Sequence, residues 1–168
     1  MNFDRLQGYI DELRGDVYPQ PPDSGHTSWA LDALFTWRDS ISQSRNVIDI
    51  GCGEAFLQPV FDGLGLEYAG ICIGNDFLVS NENRRTVYSM DFHDIGFPDN
   101  SFDLVFSRHA LEHSPMPILA LMEWHRIARN KLMLILPNPE YWGWAGRNHY
   151  SVFSDEQIRY LLIVTGKH

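Results

Sequence analysis

The chain lacks several of the features that would place it in a specialised class. It has only two cysteines, Cys52 and Cys72. Two are too few for a disulfide framework, so two reduced thiols in a reducing compartment, the cytoplasm, are expected. No apolar run approaches the ~20 residues that a membrane span needs. The first residues, Met1-Asn2-Phe3-Asp4-Arg5, have neither the basic flank nor the apolar stretch of a secretory signal. Basic residues are also scarce, 13 against 22 acidic for a net charge of −9. Such a surface repels polyphosphate, and the only adjacent basic pair is Arg84-Arg85. Neither nucleic acid nor a membrane is therefore expected as a partner. There is no internal repeat, linker or low-complexity segment, and 168 residues suit one domain.

What is present is an alternation of short apolar runs and helical patterns. Residues 3–14 place Phe3, Leu6, Ile10 and Leu13 at helical spacing, interrupted by Gly8. Residues 15–27 carry Pro19, Pro21 and Pro22 and read as a loop. Thr27 or Ser28 is expected to cap a helix to about Ser42, with Trp29, Ala33, Leu34 and Trp37 on its buried side. Strands are expected over 46–50, 67–73, 86–90, 102–107 and 131–136. Helices are expected over 54–64, with Pro59 in the first turns, and over 117–129. A loop over 137–150 carries Tyr141, Trp142 and Trp144, and Ser154 caps a last helix over 155–165. Apolar strands separated by helices imply an α/β domain, a parallel sheet covered by helices on both faces. Its parts are N-terminal helices and loop (1–45), core (46–136), and lid loop with last helix (137–168).

The first strand runs into Asp49-Ile50-Gly51-Cys52-Gly53-Glu54-Ala55. Two glycines allow a tight turn and close approach of a ligand to the main chain. In open parallel sheets ligands bind beyond the carboxyl ends of the strands. A dinucleotide fingerprint would need glycine at position 56, where Phe56 stands, and the Gly-Lys-Ser/Thr of a phosphate loop is absent. The turn suits a nucleoside better than a pyrophosphate.

From Val47 to Leu136 the chain resembles the class I S-adenosylmethionine-dependent methyltransferases, particularly the branch that includes the ubiquinone-biosynthesis C-methyltransferases. VIDIGCGEA resembles their glycine-rich first motif, and YSMDFHDIGFPDNSFDLVFSRHALEHSP their stretch from the third strand to the L-E-H. RNHYSVFSDEQIRYLL resembles the segment leading into their last helix. The resemblance implies a doubly wound, mostly parallel Rossmann-like sheet of order 3-2-1-4-5, with S-adenosylmethionine as cofactor and S-adenosylhomocysteine as product. It implies that Asp49, Gly51, Cys52 and Gly53 surround the methionine part, Asp49 facing the ammonium group. Cys72 and Ile73 would flank ribose and adenine. Asp91 would accept from the adenine amino group, with Phe92 donating an N–H and His93 nearby. Ser107 and Arg108 would line the floor under the sulfonium, and His26 would reach toward the carboxylate.

Two positions depart from the family: Ala55 replaces a usual third glycine, and Cys72 replaces an acidic ribose ligand, with Asn75 or Asp76 as substitutes. Family domains also continue into two further strands, whereas here the residues end at Gly166-Lys167-His168. The fifth strand is then expected as an open edge, covered by further chain, a second copy or another partner.

The acceptor is expected to be a small molecule under the 137–150 loop. Methyl transfer requires positioning and exclusion of water, and a base only where the acceptor carries a proton. His109, His113, His149 and Tyr150 are the candidates for that role. A second reading is a catalytically degenerate module that binds a partner. A third is a zinc hydrolase, because His109-Ala110-Leu111-Glu112-His113 matches H-x-x-E-H. That motif needs a sustained helix, whereas Ser114-Pro115-Met116-Pro117 follows at once, so no metal site is expected. Asn138-Pro139-Glu140-Tyr141 resembles the N-P-P-Y of nucleic-acid amino-methyltransferases but follows the wrong strand and lacks the second proline.

Overall fold

A computed structural model of the chain describes residues 4–5, 7–9, 11–12, 25–73, 86–142 and 148–166, with the main chain alone at 25–29 and 141–142. The N-terminal described residues are helical. Helix α1 (Gly25–Ile41) begins before Thr27 and Ser28, so neither caps it. No proline after Pro22 stops the helix from running back to Gly25.

Five strands follow: β1 (Asn46–Ile50), β2 (Glu67–Cys72), β3 (Val87–Ser89), β4 (Phe102–Arg108) and β5 (Ala128–Ile135). They form one parallel sheet of order β3-β2-β1-β4-β5, as expected. Helices α2 (Gln58–Gly63), α3 (Pro117–Ile127), the short α4 (Pro139–Trp142) and α5 (Asp155–Thr165) connect or follow them. β1 is the centre, and Val47 to Ile50 are all buried because both faces are covered. Val47 packs on one face with Ala30, Leu34 and Ile41 of α1 and Phe61 of α2. Ile48 and Ile50 pack on the other with Leu121 and Trp124 of α3, backed by Ile158, Leu161 and Leu162 of α5. No helix among the described residues is long and apolar enough to cross a membrane.

The larger differences from the pattern-based boundaries have identifiable causes. α2 starts four residues late because Ala55 takes a left-handed φ of 55°, which no α-helix accommodates. α3 gives way to β5 without a loop, since Ala128 is already extended (φ −78°, ψ 124°) and pairs with Phe102. A register shift between Phe102 and Leu104 then brings Leu104 opposite Lys131. The polar start of β5 is held there by Asp103, whose Oδ1 accepts from Arg129 at 2.6 Å and Asn130 at 3.3 Å. The last helix begins as expected, on a reciprocal cap in which Ser154 and Gln157 exchange side-chain and main-chain bonds.

Asp103 also accepts the main-chain N–H of Arg45 at 2.9 Å, so one buried carboxylate joins the amino ends of β1, β4 and β5. That N–H, with Arg129, holds the carboxyl below its usual range. A lowered folded-state value stabilises the fold above about pH 4 and is lost as pH falls below it. Asp103→Asn is therefore expected to cost about 1–3 kcal/mol at pH 7, an effect that shrinks toward pH 3. Urea unfolding midpoints from pH 3 to 7 check this.

Candidate cofactor and acceptor site

The site grows from the turn after β1, at the carboxyl end of the central strand. Gly51 (φ 75°) and Gly53 (φ 52°) reverse the chain, and the N–H groups of Gly51 and Cys52 both donate to the Ile71 carbonyl, at 2.9 and 3.1 Å. The two glycines serve different ends. A Cβ on Gly51 would lie 2.6 Å from the Ala110 Cβ, so this glycine lets the turn after β1 touch the turn after β4. A Cβ on Gly53 would meet nothing within 4 Å. Of the two glycines of this turn, Gly53 is the one that leaves the main chain open.

Asp49 lies two residues before the turn, buried, and its Oδ2 accepts the Tyr68 hydroxyl at 3.0 Å. Tyr68 reaches it because Gly70, opposite Asp49 on β2, has no side chain: a Cβ there would sit 2.9 Å from the Tyr68 oxygen and 2.8 Å from the Cys52 sulfur. Burial pushes the Asp49 carboxyl up to about 6, against the pull of the Tyr68 bond and the Arg108 charge. The same burial, with Asp49 beside it, pushes the Cys52 thiol and the Tyr68 hydroxyl upward, so both stay protonated. Cys52 and Cys72 are free thiols, and both turn their side chains into the core, which leaves main chain as what those positions offer a ligand. Ile73, just past β2, is half-buried. Asn75 and Asp76 lie outside the described residues, as do the side chains of His26, Tyr141 and Trp142 and all of Trp144 and the Arg84-Arg85 pair.

Beyond β3 the chain is pinned by a relay. Asp91 Oδ1 accepts from the His93 main chain (2.9 Å) and bonds its Nδ1 (2.7 Å), while His93 Nε2 bonds the buried Ser114 hydroxyl at 2.7 Å. The Phe92 carbonyl accepts the Trp124 indole N–H at 2.9 Å. One carboxylate oxygen of Asp91 is thus occupied within the protein. Ser107 is buried and donates to the Ile50 carbonyl at 3.0 Å, so its hydroxyl ties β4 to β1.

After β4 the chain turns sharply. His109 has a φ of 48°, and Leu111–His113 is a single 3-10 turn ended by extended Ser114. His109 and His113 therefore share no helical face, and the hydrolase arrangement of H-x-x-E-H is not formed. Instead, His109 Nδ1 bonds Glu112 Oε1 at 3.0 Å, and His113 Nδ1 donates to the Asn148 carbonyl at 3.0 Å. The His149 ring stands 5.1 Å from that of His113. The Tyr150 N–H donates to the Glu112 carbonyl at 2.7 Å while its side chain is exposed. Three histidines and Tyr150 are brought together, from segments about 40 residues apart.

A family model described as a methyltransferase domain matches residues 48–136, just over half of the chain. The chain belongs to this methyltransferase family. The matched segment contains the glycine turn, the Asp91 relay and the 3-10 turn. No curated protein sequence matches the chain significantly. Among solved structures, an S-adenosylmethionine-dependent methyltransferase from Archaeoglobus fulgidus aligns at 21% identity and TM-score 0.70, covering 83% of this chain and 68% of its own. A protein from Pyrococcus horikoshii aligns at 18% and 0.65, covering 84% and 82%. The phosphoethanolamine N-methyltransferase 2 of Haemonchus contortus, solved with S-adenosyl-L-methionine, aligns at 20% and 0.61, covering 79% of this chain and 36% of its own. These likenesses carry the Rossmann-like fold.

Sequence reasoning did not single out Tyr68 or Ser114, and gave Glu112 no role beyond its place in the hydrolase motif and in the family's L-E-H. Tyr68 becomes visible only once β1 and β2 are in register. The raised Asp49 value has a measurable consequence. A carboxyl whose folded value exceeds its unfolded one stabilises the fold below about pH 4, and that contribution is lost as pH rises through about 6. Asp49→Asn, which can still accept from Tyr68, is expected to be more stable than the parent at pH 7, by up to about 3 kcal/mol, with the difference vanishing near pH 4. Urea midpoints at pH 4 and 7 decide it.

Proposed function

We propose that the chain binds S-adenosylmethionine across the carboxyl ends of β1 and β2 and passes its methyl group to a small-molecule acceptor beside the turn after β4, releasing S-adenosylhomocysteine. The observation that carries this reading is the open main chain at Gly53, at positive φ, past a buried acid at the end of the central strand. When bound, the cofactor supplies a methyl group on a positively charged sulfur. Gly53 allows close approach of its methionine part. Asp49, ionised above about pH 6, faces the ammonium group directly or through water. Asp91 and the Phe92 N–H stand at the adenine end, with His93 holding Asp91 in place. Cys72 offers no carboxylate to the ribose, which lowers affinity by roughly one to two orders of magnitude relative to an acidic residue.

On the acceptor side, His109 is the group best arranged to take a proton. Donation of its Nδ1–H to buried Glu112 makes Nε2 the basic nitrogen and fixes the ring. Tyr150, with its exposed ring, flanks the same turn.

Calorimetry with S-adenosylmethionine and S-adenosylhomocysteine tests the cofactor. Dissociation constants well below millimolar are expected at pH 7, weakening up to about tenfold per unit below pH 6 as Asp49 protonates. In Asp49→Asn the affinity falls and the pH dependence disappears. No binding at millimolar ligand would favour the partner-binding module. For acceptors that lose a proton, His109→Gln is expected to lower kcat by about 10²–10⁴ with KM little changed, read from S-adenosylhomocysteine release over a panel of small acceptors.

A further inference from the structure

The cluster after β4 contains more buried polar atoms than the protein satisfies. Glu112 is 1% exposed, and while Oε1 meets His109, its Oε2 is buried without a hydrogen-bond partner. His149 Nδ1 is likewise buried and without a partner. Leaving such groups unsatisfied is costly, and more so for a charged one. The His113 Nδ1–H is fixed on the Asn148 carbonyl at 3.0 Å, which directs the Nε2 lone pair away from that bond. The ligand atoms that Glu112, His113 and His149 offer all lie within 4.8 Å of one another.

We infer that Glu112, His113 and His149 form a binding site for a divalent transition-metal ion of the zinc class, at the carboxyl end of β4. Two imidazoles and one carboxylate suit zinc, cobalt or nickel rather than calcium or magnesium, which prefer all-oxygen shells. Bonds of about 2.0–2.2 Å place tetrahedral ligands roughly 3.3–3.6 Å apart, so shifts of about 1 Å close the site. The main chain is already clamped for this. Tyr150 and Ser151 donate their N–H groups to the Glu112 carbonyl at 2.7 and 3.0 Å, and the Ser151 hydroxyl donates to the Ser114 carbonyl at 2.6 Å. His109 Nδ1 bonds the other carboxylate oxygen, the role of an outer partner that orients a ligand. Three protein ligands leave one coordination position open. The ligand set differs from that of the H-x-x-E-H hydrolases: His149 replaces His109, and no helix is required. The inference stands whether or not the chain transfers methyl groups.

The test uses the chain after dialysis against a chelator, titrated with Co²⁺ and with Zn²⁺ in competition with a chromophoric chelator. One equivalent of Co²⁺ should bind with visible d–d absorption, and Zn²⁺ should displace it. Glu112→Gln and His149→Gln should each weaken binding at least about 100-fold, while Cys52→Ser should leave it unchanged. X-ray absorption of the zinc-loaded parent chain, which needs no variant to fold, should show nitrogen and oxygen ligands with imidazole scattering and no sulfur. No stoichiometric binding at micromolar metal, sulfur in the shell, or unchanged binding in both variants would overturn the assignment. Calorimetry with S-adenosylmethionine reads a different site, so failure of either reading is distinguishable from failure of the other.

Discussion

The contact between Gly51 and Ala110 is the constraint on which the site depends. With 2.6 Å between a hypothetical Cβ and the Ala110 methyl, any side chain at position 51 would push the turn after β1 away from the turn after β4. The two turns stay together because β1 and β4 pair in parallel, and the Ser107 hydroxyl closes the pair on the Ile50 carbonyl. The same turn is fastened to β2 through the Ile71 carbonyl. Three strand ends thus converge, which is where an open parallel sheet presents its ligand.

Two buried aspartates show how the ends of this sheet differ. Asp103, at the amino ends, gathers an arginine, an asparagine and a main-chain N–H, and burial is compensated. Asp49, at the carboxyl ends, has the Tyr68 hydroxyl and the more distant charge of Arg108, and desolvation wins. A carboxyl kept costly to ionise is an arrangement that a cationic ligand would relieve, whereas a saturated one holds strands in place. Asp91 and Ser114 clamp His93 between the β3 and β4 ends, so the rim of the site is braced by side chains.

Much of the fold was legible in one dimension. Short β-branched and apolar runs between helical patterns led to five parallel strands, and Ser154 announced its helix through its own cap. One misplaced boundary was decided by a distant partner: Arg129 reads as helix and Asn130 as a loop until Asp103 lies opposite them. At the site, Gly53, Asp49, Asp91 and His109 were marked by motif, as were His93 and Glu112, but the bonds among them and the Tyr68 hydroxyl on Asp49 were not.

Sequence alone determined the periodicities, the glycine turn and the family resemblance, because those depend on neighbours within a few residues. Tertiary structure decided which glycine is open and which is packed, since that turns on Ala110, far along the chain. It likewise decided that Tyr68 bonds Asp49 and that His149 joins His113 and Glu112. Register and loop closure set those contacts, and neither is encoded in local spacing.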